Sequence, residues 1–568
     1  MAVFGFLRIG VAALMALTLG AAPAIARPAP AAPSSRALTA GAVASPDIHG
    51  ALAAQKILKQ GGNAVDAAVA TAFALAVTYP EAGNLGGGGF MTLYVDGKPS
   101  FLDYRETAPA AAGAGMYLTA SGEPDPNLSL VGNLAVGVPG TVRGMAEAHR
   151  RFGKLTWKQD LAPAIALARN GFTVTPQFMG ILDGTRASLS KTTNFAAWAK
   201  GPKVGQRFRQ PDLAVTLERI AALGPDGFYK GPTADAIVDQ MGRGPIKGLI
   251  THADLEGYKA LWREPVTGDW RGFTLITAPP PSSGGIALLQ MLTMKADAAP
   301  LFRGQALNSP QYVHLLAEIE KRVFADRAVY LGDPDFIKVP VAALIAPDYL
   351  ARRAREIDPA KPTPTQSVKP GLEKPQTTHF SVVDRWGNAV SNTYTLNGWF
   401  GSGVVVEGAG FLLNDEMDDF SAKPGAPNQF GVVGGSANAI APGKRPLSSM
   451  TPTILLKDGR VAMVIGTPGG SRIFTSVFQV LANAYDFRLP LKAAVAASRY
   501  HHQLLPPNTI YAEPYGPFAP ALAAGLKARG YVLENQDYNG DIEAIEVTGR
   551  APAVAPDPRA RGAGLVVK

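Results

Sequence analysis

GLEKPQTTHFSVVDRWGNAVSNTYTLNGW, residues 371–399, is where the chain changes character. Upstream, Pro362, Pro364, Pro370 and Pro375 keep the backbone out of regular structure; from Thr377 onward apolar and polar residues alternate with a period of two. Trp386-Gly387-Asn388 carries the residues of a tight turn, so a hairpin is predicted whose first strand begins at Thr377. Two readings of the junction are open. It is an ordinary linker followed by an exposed Thr, or a cleavable linker whose scission between Gln376 and Thr377 makes Thr377 an N-terminus. In the second case an α-amine, with an ordinary pKa of about 8, lies beside the hydroxyl it can deprotonate. One residue then supplies both nucleophile and base.

Working outward, 568 residues can bury several domains' worth of core. A 47% hydrophobic and 17% charged composition excludes a disordered chain, and 62 Gly with 47 Pro indicate many turns. The net charge of +9 is scattered and not interleaved with aromatics, which argues for solubility and against nucleic acid as a partner. No Cys is present, so thiol chemistry and disulfides are excluded. Arg8, the apolar run from Ile9 to Ala22 and the small-x-small Ala24-Ile25-Ala26 predict a signal peptide over 1–26 and a periplasmic or secreted protein. That run is too short for the ~20 residues a bilayer span needs, so no stable membrane insertion is expected.

Two helices are predicted within 46–80, the first ended by Gly61-Gly62 and the second, AVDAAVATAFALAV, Ala-rich on every side and therefore buried. The glycine run 86–89 precedes a strand and not a helix, so close backbone approach is favoured over phosphate binding. Residues 138–345 read as mainly helical scaffold. Beyond the hairpin, GVVVE, FLLN, TPTILL and VAMVIG read as strands, then helices near 471–485 and 490–499, then IYAE, a helix at 517–529 and IEAIEV. Sheets covered by helical layers follow from this order.

No GxSxG with triad partners and no HExxH is present, and the adjacent His501 and His502 diverge, so neither a His-based triad, a metal nor a cofactor is called for. Four polar groupings remain. Thr393, Thr395 and Asn397 share one strand face, from which Thr395 can hydrogen-bond Thr377. Arg105, at the end of a strand in Asp103-Tyr104-Arg105-Glu106, either pairs locally with Glu106 or Asp103 or grips a carboxylate bidentately. Asp415-Glu416-Met417-Asp418-Asp419 is either a solvated, calcium-tolerant loop or a cradle for an ammonium group. Ser448 and Ser449 offer two hydroxyls at a strand entry, and Gly466-Thr467-Pro468-Gly469-Gly470-Ser471 offers bare amides that can hold an oxyanion.

The motifs GGNAVDAAVA (61–70), AGNLGGGGFM (82–91), DYRETAP (103–109), PPPSSGG (279–285), QTTHFSV (376–382), TYTLN (393–397), LLNDEMDDFS (412–421), KRPLSSMTPT (444–453), GTPGGSR (466–472) and RYHHQ (499–503), in this order, resemble those of bacterial γ-glutamyltransferases. The resemblance runs from about residue 40 to the C-terminus. It implies an α+β, four-layer αββα sandwich of the N-terminal-nucleophile hydrolase type, with a precursor that cuts itself into a large subunit, 27–376, and a small one, 377–568, which stay together as a heterodimer. It implies Thr377 as nucleophile, Thr395 as its orienting partner and Gly469 and Gly470 as the oxyanion amides. Arg105, Ser448 and Ser449 would hold the α-carboxylate of a γ-glutamyl group, and Asn397, Glu416 and Asp419 its α-ammonium. Glu416 stands where some bacterial members have Gln. Phe430, in the segment resembling the family's lid, stands where relatives often have a Tyr bonded to the pocket Asn, and it cannot make that bond to Asn397. Glutathione and related γ-glutamyl compounds are the implied donors, with water, amino acids or peptides as acceptors. The rival readings are a glutaryl or cephalosporin acylase of the same superfamily and a non-catalytic exported binding protein for amino-acid-like ligands.

Overall fold

The computed structural model describes residues 37–365, 377–423, 435–536 and 539–568. The leader expected at 1–26, Gln376 of the expected cleavage site and Phe430 lie outside the described residues. The hairpin forms where the alternation put it: Thr378–Val383 pairs antiparallel with Ala389–Thr395. Along both strands, parity divides the environment. Phe380, Val382, Val390 and Tyr394 pack into an outer apolar core, whereas Val383 and Ala389 belong to a different core between two sheets. Thr378 lies opposite Tyr394, so one more antiparallel step puts Thr377 beside Thr395.

The hairpin is the middle of a seven-stranded antiparallel sheet ordered Ala563–Val567, Gly41–Ser45, Thr378–Val383, Ala389–Thr395, Gly88–Val95, Lys98–Tyr104, Leu261–Arg263. A six-stranded antiparallel sheet, ordered Ala551–Pro556, Glu543–Thr548, Arg460–Ile465, Thr453–Lys457, Phe273–Thr277, Val266–Trp270, faces it. Ala42, Ala44, Val383 and Ala389 from the first meet Ile276, Ile454, Val464 and Ile545 from the second. Helices Ile48–Lys59, Ala64–Thr78 and Trp157–Asn170 cover the first sheet, and Gly284–Asp297, Pro310–Tyr330 and Arg472–Tyr485 cover the second. The result is the expected α, β, β, α stack. Every residue of Ala64–Thr78 is buried, as its all-round apolar composition requires, and Asn63 and Asp66 close its N-terminus as a reciprocal capping box.

Two expectations are corrected. Within the region read as helical scaffold, Leu261–Arg263, Val266–Trp270 and Phe273–Thr277 are strands, short segments that complete one edge of each sheet. GVVVE and FLLN do not form a sheet: the positive-φ glycines Gly401, Gly403, Gly408 and Gly410 turn the chain repeatedly, leaving one bridge between Val405 and Leu412. Among the described residues, no helix is long and apolar enough to cross a membrane.

Candidate active site

At one end of the sandwich Thr377, Thr395 and Asn397 line a small cavity together with Arg105, Glu416, Asp419, Ser448, Ser449 and Gly470. Thr377 immediately precedes its strand and is only 3% exposed, so the cavity is its access to substrate. Thr395 Oγ1 accepts from the Asn397 amide (2.7 Å), and its carbonyl accepts from Asn84 Nδ2 (2.8 Å). Asn397 has φ +75°, a conformation Asn tolerates, which swings the chain out of the strand. Its Nδ2 donates to the Asp415 carbonyl (3.0 Å), bracing the acidic loop and leaving the amide oxygen as the atom suited to an ammonium.

The acidic run is not a solvated surface loop. Glu416–Asp419 is a short 3₁₀ turn in which each carboxylate is answered: Glu416 and Asp419 by Arg105, Asp418 by the Ser129 hydroxyl (2.6 Å). The remaining one, Asp415, takes the Gly398 amide (2.7 Å). Arg105 is 1% exposed and also donates to the carbonyl of Pro446 (3.3 Å). Groups assigned from sequence to opposite ends of a ligand are therefore in mutual contact. Burial pushes the Glu416 and Asp419 carboxyls up against the pull of Arg105, and Glu106, 3.8 Å from the same guanidinium, is raised for the same reason. Such a cluster is suited to a zwitterion, whose carboxylate and ammonium can each replace one half of the internal pair.

Ser448 and Ser449 are brought to the cavity by PPPSSGG. The Ser283 amide donates to the Ser448 carbonyl (2.7 Å) and the Ser448 amide to Pro281 (2.9 Å). Behind Thr377, Gly469 (φ +140°) and Gly470 (φ +55°) turn the chain into helix Arg472–Tyr485. Gly470 lines the cavity, and Gly469 precedes it in the same turn. Three lining residues were not anticipated: Met450, Ile473 and Arg327. Arg327 shares its stripe with Val323 and Phe324 and with the buried Glu320, a setting in which a cation signals a buried partner. His501 and His502 diverge as expected, His501 toward Thr475 and His502 toward the Thr509 carbonyl.

Residues 50–567 match the family described as Gamma-glutamyltranspeptidase. The chain belongs to the γ-glutamyltranspeptidase family. A glutathione hydrolase proenzyme of Pseudomonas aeruginosa is 65% identical over 94% of this chain and 95% of that one. The solved structure of γ-glutamyltranspeptidase from Pseudomonas nitroreducens complexed with L-DON is 59% identical, with a TM-score of 0.58, covering 59% of this chain and 99% of that chain. The cephalosporin acylase of Bacillus halodurans is 28% identical with a TM-score of 0.79, over 93% of this chain and 96% of its own. The layered architecture is thus shared with enzymes of both printed activities, and the far higher identity is to the glutathione hydrolase proenzyme.

Proposed function

We propose that this enzyme is an autoprocessed γ-glutamyltransferase and glutathione hydrolase. The observation that carries the reading is the juxtaposition of Thr377 and Thr395 with a cavity wall holding both a guanidinium with seryl hydroxyls and a pair of carboxylates. In the precursor Thr377 Oγ attacks the Gln376 carbonyl and the acyl group shifts from N to O, which frees the Thr377 amine; water then hydrolyses the ester, releasing the Gln376 carboxylate and restoring the Thr377 hydroxyl. That amine then takes the Oγ proton as Thr377 attacks the γ-carbonyl, and returns it to the departing amine. Arg105, Ser448 and Ser449 hold the α-carboxylate; Asn397, Glu416 and Asp419 hold the α-ammonium; the Gly469-Gly470 turn receives the oxyanion. Water releases glutamate, and an amino acid or peptide acceptor forms a new γ-glutamyl compound.

Export with removal of 1–26, and subunits 27–376 and 377–568, complete the proposal. The relative's proenzyme name and the partial-length solved chain support the division into subunits. A glutaryl or cephalosporin acylase is disfavoured, because a glutaryl group carries no ammonium to meet the buried Glu416 and the largely buried Asp419. Intact mass and N-terminal sequencing of wild type and Thr377→Ala test the reading. Two fragments from wild type, the smaller starting Thr-Thr-His, and one uncut chain from the variant are expected. A correctly folded wild type that stays uncut and inert toward γ-glutamyl anilides would overturn it.

A further inference from the structure

The cavity contains a second guanidinium that the motif assignments leave without a task. Arg327, from helix Pro310–Tyr330, is 6% exposed, and its fork spans two hydroxyls: Nε donates to Ser283 Oγ (3.1 Å) and Nη2 to Ser449 Oγ (3.2 Å). Ser283 Oγ in turn donates to the Ser448 carbonyl (2.8 Å), while Ser448 Oγ accepts from the Met450 amide (3.1 Å). A hydroxyl has one proton, and an occupied lone pair decides where that proton points. Ser448 and Ser449 both accept from protein donors and, among the described residues, neither donates to a protein acceptor, so each is left a donor toward the cavity it lines.

We propose that Arg327 is a positioning residue that fixes Ser449, and through Ser283 the backbone of Ser448, as hydroxyl donors to the donor substrate's α-carboxylate. The inference rests on the γ-glutamyl reading above. It assigns a role to PPPSSGG as well: Ser283 is the link by which a helix of the outer layer reaches the cavity wall. Charge adds to the geometry. Arg105 is shared with Glu416 and Asp419, and Arg327, bonded to Ser449, adds a second cation on the seryl side, where the incoming carboxylate settles. Lysine cannot reproduce the arrangement, because an ammonium on a flexible stem does not span two fixed hydroxyls as a planar fork does.

The test compares γ-glutamyl-4-nitroanilide with the 4-nitroanilide of isoglutamine, which replaces the α-carboxylate by a carboxamide, in wild type, Arg327→Gln, Arg327→Lys and Ser449→Ala. For Arg327→Gln, KM for the carboxylate donor should rise roughly tenfold with kcat changed much less, and the preference for carboxylate over carboxamide should fall by the same factor. Arg327→Lys should fall between, and adding Ser449→Ala to Arg327→Gln should cost less than the two single effects multiplied. Equal losses on both donors, no loss on either, or full additivity with Ser449→Ala would overturn the proposal. Appearance of both fragments reports folding; if Arg327→Gln does not mature, the donor preference of Arg327→Lys decides by the same criterion. A wild type that turns over neither donor would instead sink the γ-glutamyl reading itself, and the proposal with it.

Discussion

Arg105 takes its position from a strand end and its partners from a loop more than 300 residues later: its Nη1 pairs with Glu416 and its Nη2 with Asp419. Arg105→Lys would keep the charge but lose the fork, and a charge-assisted hydrogen bond is worth about 1.5–3 kcal/mol. KM for a γ-glutamyl donor is therefore expected to rise at least tenfold while the chain still cuts itself, read by steady-state kinetics beside gel analysis. Glu416 behaves differently. Its carboxyl is pushed up by burial, with Glu106 and Asp419 adding to the effect, and among the described residues its Oε2 has no hydrogen-bond partner. Gln imitates the neutral acid, so Glu416→Gln should leave KM within about threefold, whereas Asp419→Ala, which strips one arm of the Arg105 fork, should raise it by tenfold or more. Equal effects of the two changes would show that Glu416 works as a full charge.

At the scale of elements, the glycine run before Gly88–Val95 has a spatial cause. A Cβ on Gly87 would stand 2.0 Å from the Thr395 carbonyl, and one on Gly89 would stand 2.4 Å from that of Thr393. Backbone cannot yield as a side-chain tip can. Gly87→Ala is expected to cost several kcal/mol, in the range of severe core overpacking (about 1–3 kcal/mol or more), and to displace Thr395. A lower melting temperature together with failed self-cleavage checks this. Helices Ala64–Thr78 and Trp157–Asn170 meet through Asp66 and Asp160, with the ring of His149 3.7 Å from Asp160. Asp66 accepts the amides of Asn63, Lys154 and Leu155, whereas among the described residues Asp160 has no donor and is pushed from 3.8 up to about 9 by burial and then by Asp66. The folded chain thus holds a proton that the unfolded chain releases near pH 4. This contribution is complete below pH 3.8 and is lost progressively as pH rises toward about 9. Asp160→Asn carries no such proton, so its melting temperature relative to wild type should climb steadily from pH 5 to 8.5; a constant difference would refute the shared proton.

For the whole molecule, the decisive feature is how the strands interleave. In the first sheet Gly41–Ser45, from before the proposed cut, lies between Ala563–Val567 and Thr378–Val383, both from after it; in the second, Phe273–Thr277 pairs with Thr453–Lys457. Neither piece can leave without opening a sheet and exposing the core between them. The two fragments should therefore co-elute as one species on size exclusion without denaturant and separate only in denaturant. Dissociation on cleavage alone would contradict the shared sheets.

Local chemistry was sufficient for part of this. The Pro-rich run before Thr377, the period-two hairpin and the Ala-rich buried helix depend on neighbours in the chain, and each is legible there. The order of motifs pointed to the family and hence to the layers. Contacts across hundreds of residues are a different matter. Nothing local distinguishes an Arg105 paired with Glu106 from one paired with Glu416, and in a helix read as scaffold nothing local directs Arg327 to Ser449. Leu261–Arg263 has three residues, too few to show a period, and becomes a strand only because Lys98–Tyr104 offers an unpaired edge. Periodicity reports which face of an element is apolar; which other element covers that face, and which buried charge meets which, is decided when the sheets stack and every desolvated charge must find a partner.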